Sequence, residues 1–316
     1  MAERQLKYNE PWIIQRADPY VYKHVDGWYY FTASIPKYDG IILRRAKTLA
    51  ELPETDEVMI WEKHAEGVMG AHIWAPELHY LDGKWYLYFA AGEKESIWNI
   101  RPYILECEDP DPLTGTWVEK GKIQRAVGDP FSFESFSLDA TIFENKGKRY
   151  YVWAEKVGVG PQISNLYIAE METPLKLKTV QVLLTTPDYD WERQGYWVNE
   201  GPAVIKRSGK IYLTYSASET GIAYCIGMLS ADEEDDLLDP LSWKKERYPV
   251  LQSCVDKGIY GPGHNSFTVD ENGEPIMVYH ARTEKAINGN PLYVPNRHAM
   301  LMKIEFGGDG KPIFKL

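Results

Sequence analysis

Residues 17–34 read ADPYVYKHVDGWYYFTAS: a short apolar run, a polar turn holding Gly27, and a second run rich in aromatics. β-Branched and aromatic runs on either side of a glycine-containing turn are the pattern of a β-hairpin. The pattern returns as APELHYLDGKWYLYFAAG (75–92), LDATIFENKGKRYYVWAE (138–155), NEGPAVIKRSGKIYLTYSAS (199–218) and GHNSFTVDENGEPIMVYHAR (263–282). The turn glycines Gly27, Gly83, Gly147, Gly209 and Gly273 follow one another at 56 to 64 residues, so five copies fill the chain.

After each hairpin comes a further strand-like run: GIILRRA, YILECE, LYIAEM, CIGMLS and HAMLMKIEF. Each of the first four is followed by a polar stretch with room for an outer strand, two of them carrying a Trp after a DPL turn (Asp111–Trp117 and Asp239–Trp243). Helical periodicity is confined to short candidates such as Leu229–Leu238. A four-stranded repeat cannot bury both its faces alone, and stacking five around an axis solves this. The expected architecture is therefore all-β: one domain over residues 1–316, a five-bladed β-propeller of four-stranded antiparallel blades. Two packed β-domains are the alternative, and the constancy of the period counts against it.

The balance of 46 acidic to 35 basic residues gives −11, which repels phosphate backbones and anionic lipid surfaces, so neither nucleic acid nor membrane is an expected partner. Cys107, Cys225 and Cys254 are far apart and odd in number, which suits reduced thiols better than a disulfide framework or a metal site. The stretch MAERQLKYNEPW has no apolar core of the signal-peptide kind, and the expectation drawn from it is cytoplasmic residence. Aromatic residues make up 13% of the chain, and they suit both half-buried strands and the flat C–H faces of sugars.

Eight or nine positions before each turn glycine, where the innermost strand opens, stand Asp18, Ala75, Asp139, Glu200 and His264. In a propeller these positions crowd around one axial mouth. A single acid before a strand usually caps a turn at the surface. Three acids in register across separate repeats point instead to one shared pocket. Crowded carboxyls titrate apart, supplying a proton donor and an ionised base together, which acetal hydrolysis requires.

The segments ADP (17–19), WAPEL (74–78), SLDAT (137–141), NEGP (199–202) and GPGHNSF (261–267), in this order and at this period, resemble glycoside hydrolase family 43 over nearly the whole chain. The resemblance implies a five-bladed propeller acting with inversion on arabinose- or xylose-containing glycans. It implies Asp18 as general base, Glu200 as general acid and Asp139 as the carboxylate that tunes and orients the acid. It also implies His264 as the axial histidine beside a largely water-held calcium, although one imidazole is a poor calcium ligand set.

Trp74 resembles the family's sugar platform and Arg282 its substrate-reaching arginine. His72 lies two residues before Trp74 on the same strand face, and Tyr196 and Trp197, in GYWVN, are placed to line the mouth. An inverting enzyme is expected to hold its two working carboxyls about 6.5–9.5 Å apart.

The expected activity is exo-acting removal of terminal α-L-arabinofuranosyl or β-D-xylosyl units from arabinoxylan or xylan oligosaccharides. Endo-arabinanase action, which needs an open groove, and a non-catalytic sugar-binding propeller are the alternatives.

Overall fold

The computed structural model describes residues 6–157 and 162–316, so the first five residues of the amino-terminal stretch fall outside it. All five hairpins form, and every turn glycine has a positive φ, between 73° and 83°. That left-handed conformation is open to glycine because it has no Cβ. Among the described residues the regular structure is strands and short 3₁₀ turns. Among those residues no helix is long and apolar enough to cross a membrane. The helical expectation for Leu229–Leu238 is corrected: Cys225–Asp232 is a strand, and Asp232, Asp236 and Asp239 close successive tight turns after it. Aspartates compete for backbone N–H groups in turns and so work against helix here.

The first sheet comprises Ala17–Lys23, Tyr29–Ser34, Gly40–Ala46 and Val58–Glu62, each antiparallel to the next. The second comprises Ala71–Leu81, Lys84–Gly92, Arg101–Cys107 and Val118–Lys122. Ser137–Asn145, Lys148–Val157 and Ile163–Thr173 form the third unit, with Val182–Thr185 at its edge. The fourth unit is Trp197–Arg207, Lys210–Ala217, Cys225–Asp232 and Lys244–Lys245. A two-residue parallel pairing, Ile163 with Trp197 and Ser164 with Val198, joins the third and fourth units into one sheet.

The fifth sheet holds Tyr260–Val269, Pro275–Arg282 and His298–Lys303, and its outer strand comes from the other end of the chain: Pro11–Ile13 pairs with His298–Lys303. Three residues are too few to announce that strand in the sequence. The five inner strands touch in succession, and the fifth touches the first. Apolar clusters fill the spaces between neighbouring sheets. Tyr30, Ile41 and Leu43 of the first sheet pack on Leu78, Trp85 and Leu87 of the second, while Ile226 and Met228 of the fourth pack on Met277 and Tyr279 of the fifth. Each sheet face is thus buried by its neighbour, which is what holds the inner strands in place.

Every inner strand breaks register near its start, after Ala17, Trp74, Leu138, Glu200 and Gly263, and the second and fifth also break once before that point. The next residue in each case is left-handed: Asp18 (φ 51°), Ala75 (47°), Asp139 (51°), Gly201 (53°) and His264 (41°). A bulge of this kind re-aims side chains, and four non-glycine residues held at positive φ mark a site that the surrounding sheet over-determines. The register read from the sequence is corrected at one place. Glu200 corresponds to Ala17, Trp74, Leu138 and Gly263, and the fourth counterpart of Asp18 is Gly201. Counting from the turn glycine hid this, because the first and fifth hairpins carry one residue more than the others.

Candidate active site

A cavity of about 600 Å³ opens where the inner strands begin, lined by Asp18, Asp139, Glu200 and His264 from four different hairpin units. His264 Nδ1 lies 3.2 Å from Asp18 Oδ1 and 3.5 Å from Asp139 Oδ2. The Gly201 N–H donates to Asp139 Oδ2 at 3.2 Å, and a Cβ at residue 201 would approach His264 Cγ at 3.0 Å. Glycine at that bulge therefore lets the fourth strand close on the imidazole.

The three carboxyls have opposite electrostatic fates. Burial alone would raise Asp18, but His264, His280 and Arg297 around it hold its carboxyl far below the ordinary carboxylate range. The Asp18 N–H donates to His280 Nδ1 at 3.0 Å, so that ring nitrogen carries no proton, and burial keeps His280 neutral with a pKa lowered to about 3. The positive charges on Asp18 are then His264 and Arg297, whose Nη1 is 3.6 Å from Asp18 Oδ1. Ser34 Oγ adds a hydrogen bond to Asp18 Oδ2 at 2.5 Å.

On the other side of the cavity, burial pushes Asp139 up to about 8, helped by the charges of Glu200 and Asp18 and opposed by His264. Burial and Asp18 also raise Glu200, against the donated bond from Tyr224 (2.8 Å) and the cations His264 and Lys156. Asp139 and Glu200 together keep a proton into the neutral range while Asp18 is ionised. His264 itself, despite burial, is raised by Asp139, Asp18 and Glu200.

A calcium beside His264 finds no cage of protein ligands. Among the described residues no group of three or more His, Cys, Asp or Glu is arranged to hold a metal. His264 Nδ1 is already committed to two carboxylates, and calcium asks for six to eight oxygens. The residues do not fit a protein-ligated calcium, and no chemical step below passes through one.

The walls differ from the sequence reading in several places. Trp74 lines the cavity, buried, with its Nε1 lacking a hydrogen-bond partner among the described residues. His72 lies behind it, stacked on the indole at 4.4 Å. It donates through Nδ1 to Ile97 O (2.8 Å) and accepts from the Tyr293 hydroxyl at Nε2 (3.1 Å). It braces the platform and does not face the cavity. Arg282 is also turned away: its guanidinium donates to Pro291 O (2.6 Å) and Val294 O (3.3 Å), tying down the segment 283–297, which covers one side of the site.

Tyr196 lines the mouth, but Trp197 does not. The Trp197 ring lies under the Arg193 guanidinium, 4.9 Å away. Strand alternation explains why Trp197 turns away, since Val198 and Glu200, one and three residues further along the strand, face the cavity.

Residues missed in the sequence include Trp98, Lys156, Tyr224 and Arg297, all lining the cavity. Arg297 sits where Arg282 was expected, bonded to the Tyr38 hydroxyl at 2.6 Å and facing Asp18. Ser34, Ser216 and His280 were missed although a signal existed: each stands seven residues after its turn glycine, where the other two repeats have Ala90 and Ala154.

Residues 8–312 match the family described as glycosyl hydrolases family 43. The chain is similar to an extracellular exo-α-(1→5)-L-arabinofuranosidase of Streptomyces avermitilis, at 50% identity over 99% of this chain and 64% of that protein. This chain therefore spans less than two thirds of that relative's length. A second extracellular exo-α-(1→5)-L-arabinofuranosidase, from Streptomyces chartreusis, is 49% identical over 92% of this chain and 87% of its own. Among solved structures, an α-L-arabinofuranosidase from Lactobacillus brevis superposes with a TM-score of 0.92, at 50% identity over 99% of this chain and 98% of that one. The two Streptomyces proteins overturn the expectation of cytoplasmic residence, because both are extracellular. That expectation rested on where the sequence begins, which does not report on export.

Proposed function

This chain belongs to glycosyl hydrolase family 43, and from that premise we propose that it is an exo-acting, inverting glycoside hydrolase releasing terminal α-L-arabinofuranosyl units from arabinose-containing oligosaccharides. The observation that carries the reading is the convergence of Asp18, Asp139 and Glu200 from three hairpin units on one cavity, with Asp18 held ionised and the other two raised. We read residues 1–316 as one five-bladed β-propeller domain. The ring of inner strands and the sheet completed by Pro11–Ile13 support this.

In this mechanism Asp18 takes a proton from a water as the water oxygen attacks the anomeric carbon. Glu200 gives its proton to the glycosidic oxygen as the bond from that oxygen to the anomeric carbon breaks. One proton enters Asp18 and one leaves Glu200, so the site regains its starting state by proton exchange with solvent. Asp139 and Glu200 hold a proton between them into the neutral range, which keeps one available for transfer, and His264 bridges Asp18 and Asp139. Trp74 offers an apolar face to the sugar, and Trp98 and Tyr196 extend aromatic surface outward along the mouth.

The segment 283–297 covers one side of the cavity through Asn290, Pro291 and Leu292, which favours a blind pocket for a chain end over a groove for a continuous polymer. Incubation with α-1,5-linked arabino-oligosaccharides and with aryl arabinofuranosides and xylosides, products followed by NMR, tests the reading. Free arabinose released from the chain end with inverted configuration is expected. Mid-chain cleavage would make it endo-acting, and a retained configuration would remove the inverting assignment. Turnover confined to xylosides would displace arabinose as the sugar.

A further inference from the structure

Tyr224 has no place in the two-carboxylate scheme, yet it is 1% exposed and its hydroxyl donates to Glu200 Oε1 at 2.8 Å. Its ring lies parallel to His280, centroids 5.6 Å apart and planes 4° apart. It also rests against the backbone of Gly263, the cross-strand partner of His280, where an added Cβ would come within 2.2 Å of Tyr224 Cδ1 and Cε1. The tyrosine is therefore seated beside His280 on a position that only glycine can fill.

The direction of the hydrogen bond is fixed from further back. The His264 backbone N–H can only donate, and it does so to Ser216 Oγ at 2.6 Å. The Ser216 hydrogen is thereby left for the Tyr224 hydroxyl oxygen, with which Ser216 is hydrogen-bonded. The Tyr224 hydrogen is in turn left for Glu200. A parallel exists at the first sheet: the Ala75 N–H donates to Ser34 Oγ at 2.8 Å, and Ser34 donates to Asp18 Oδ2 at 2.5 Å. Ser34 and Ser216 are in equivalent register, paired with Ala17 and Glu200. Glu200 stands one residue before the bulge that carries Asp18's counterpart, and Tyr224 bridges the difference.

We propose that Tyr224, oriented by Ser216 and seated on Gly263, is the positioning residue that selects which oxygen of Glu200 carries the proton delivered to the leaving group. With Oε1 occupied by the tyrosine donor, the transferable proton rests on Oε2. That oxygen accepts no hydrogen bond from the described residues. The proton moves from Oε2 to the glycosidic oxygen, and Tyr224 remains bonded to the carboxylate that forms. The inference rests on Glu200 being the general acid. The charged and titratable groups facing Glu200 are Asp18, Asp139, Lys156, His264 and Tyr224. Of these, only Tyr224 donates to it directly among the described residues.

The test compares Y224F, S216A and E200Q with the parent protein on an α-1,5-linked arabino-oligosaccharide and on a nitrophenyl arabinofuranoside. Y224F should lose about tenfold in kcat/KM on the oligosaccharide, whose alcohol leaves only with a proton, and less on the aryl substrate. Removing a donor that favours the carboxylate should move the alkaline limb of the pH profile upward by about one unit. S216A should shift both readouts in the same direction by less. Equal losses on the two substrates with an unmoved alkaline limb, in variants that melt as the parent does, would overturn the proposal and leave Tyr224 as packing. Should E200Q keep parental turnover, the acid assignment itself fails, and that result is distinct from the first.

Discussion

On the floor of the cavity, Asp18, Asp139 and His264 each stand on the left-handed residue of a bulged inner strand, and Glu200 stands just before one. In the walls, Trp98, Phe136 and Leu292 stand on connecting segments, with no counterpart from sheet to sheet. The floor is positioned by inner strands, each paired with the second strand of its own unit and packed against the neighbouring inner strands around the ring, so its geometry is tied to the global stability of the fold. The walls are held by a few side-chain bonds to loop carbonyls, such as those of Arg282 to Pro291 and Val294. On the proposed reading, chemistry belongs to the rigid repeat and specificity to the connections, as loops on a rigid scaffold generally allow.

The sharpest way to break this division is to remove a floor carboxyl. D18N or E200A should lower kcat on oligosaccharides by about 10²–10⁴-fold with little change in melting temperature, and E200A should lose less on an aryl substrate with a good leaving group. A loss of only a few fold would place the chemistry elsewhere.

The floor also sets the pH profile. Asp18 is held ionised well below the ordinary range, so activity should persist down to the pH at which the protein itself unfolds. Asp139 is raised to about 8 and Glu200 is raised as well, so activity should fall as pH rises and the pair loses its proton. D139N removes one of the two carboxyls that hold this proton, and the alkaline limb should move down. An upward move would reverse the assigned roles.

Wall substitutions should act on binding. R282M leaves two loop carbonyls without their donor, and should cost about 1–3 kcal/mol of stability while raising KM about tenfold more than it lowers kcat. W98A, at a half-exposed position, should raise KM a few fold, about 1 kcal/mol, with kcat nearly unchanged. Dialysis against a chelator should have the smallest effect, below about twofold, because the described residues offer no calcium cage. A large loss restored by calcium would show an ion held through water.

Most of the floor was legible because a period of about sixty residues turns position into geometry: residues at one offset from the turn glycine meet at one end of the ring. That reasoning found Asp18, Asp139 and His264. It found Glu200 through an offset that belongs to its neighbour, since the count from the glycine absorbs a one-residue difference in hairpin length. The same offset logic, applied to the second strands, would have reached Ser34, Ser216 and His280. It could not have reached Arg297 or Trp98, which lie in segments that do not repeat. His72, Arg282 and Trp197 were misplaced because a side chain near a site in sequence can brace it from behind, as the His72 ring does beneath Trp74.

The sequence by itself determined the hairpins, their number and the convergence of four ionisable residues, because turn glycines and strand alternation are local and repeat faithfully. Tertiary structure alone decided which carboxyl is charged, which arginine faces Asp18 and which hydroxyl holds Glu200. Those depend on burial and on distances of 2.5 to 3.6 Å between residues 16 or more positions apart along the chain, which no local pattern encodes.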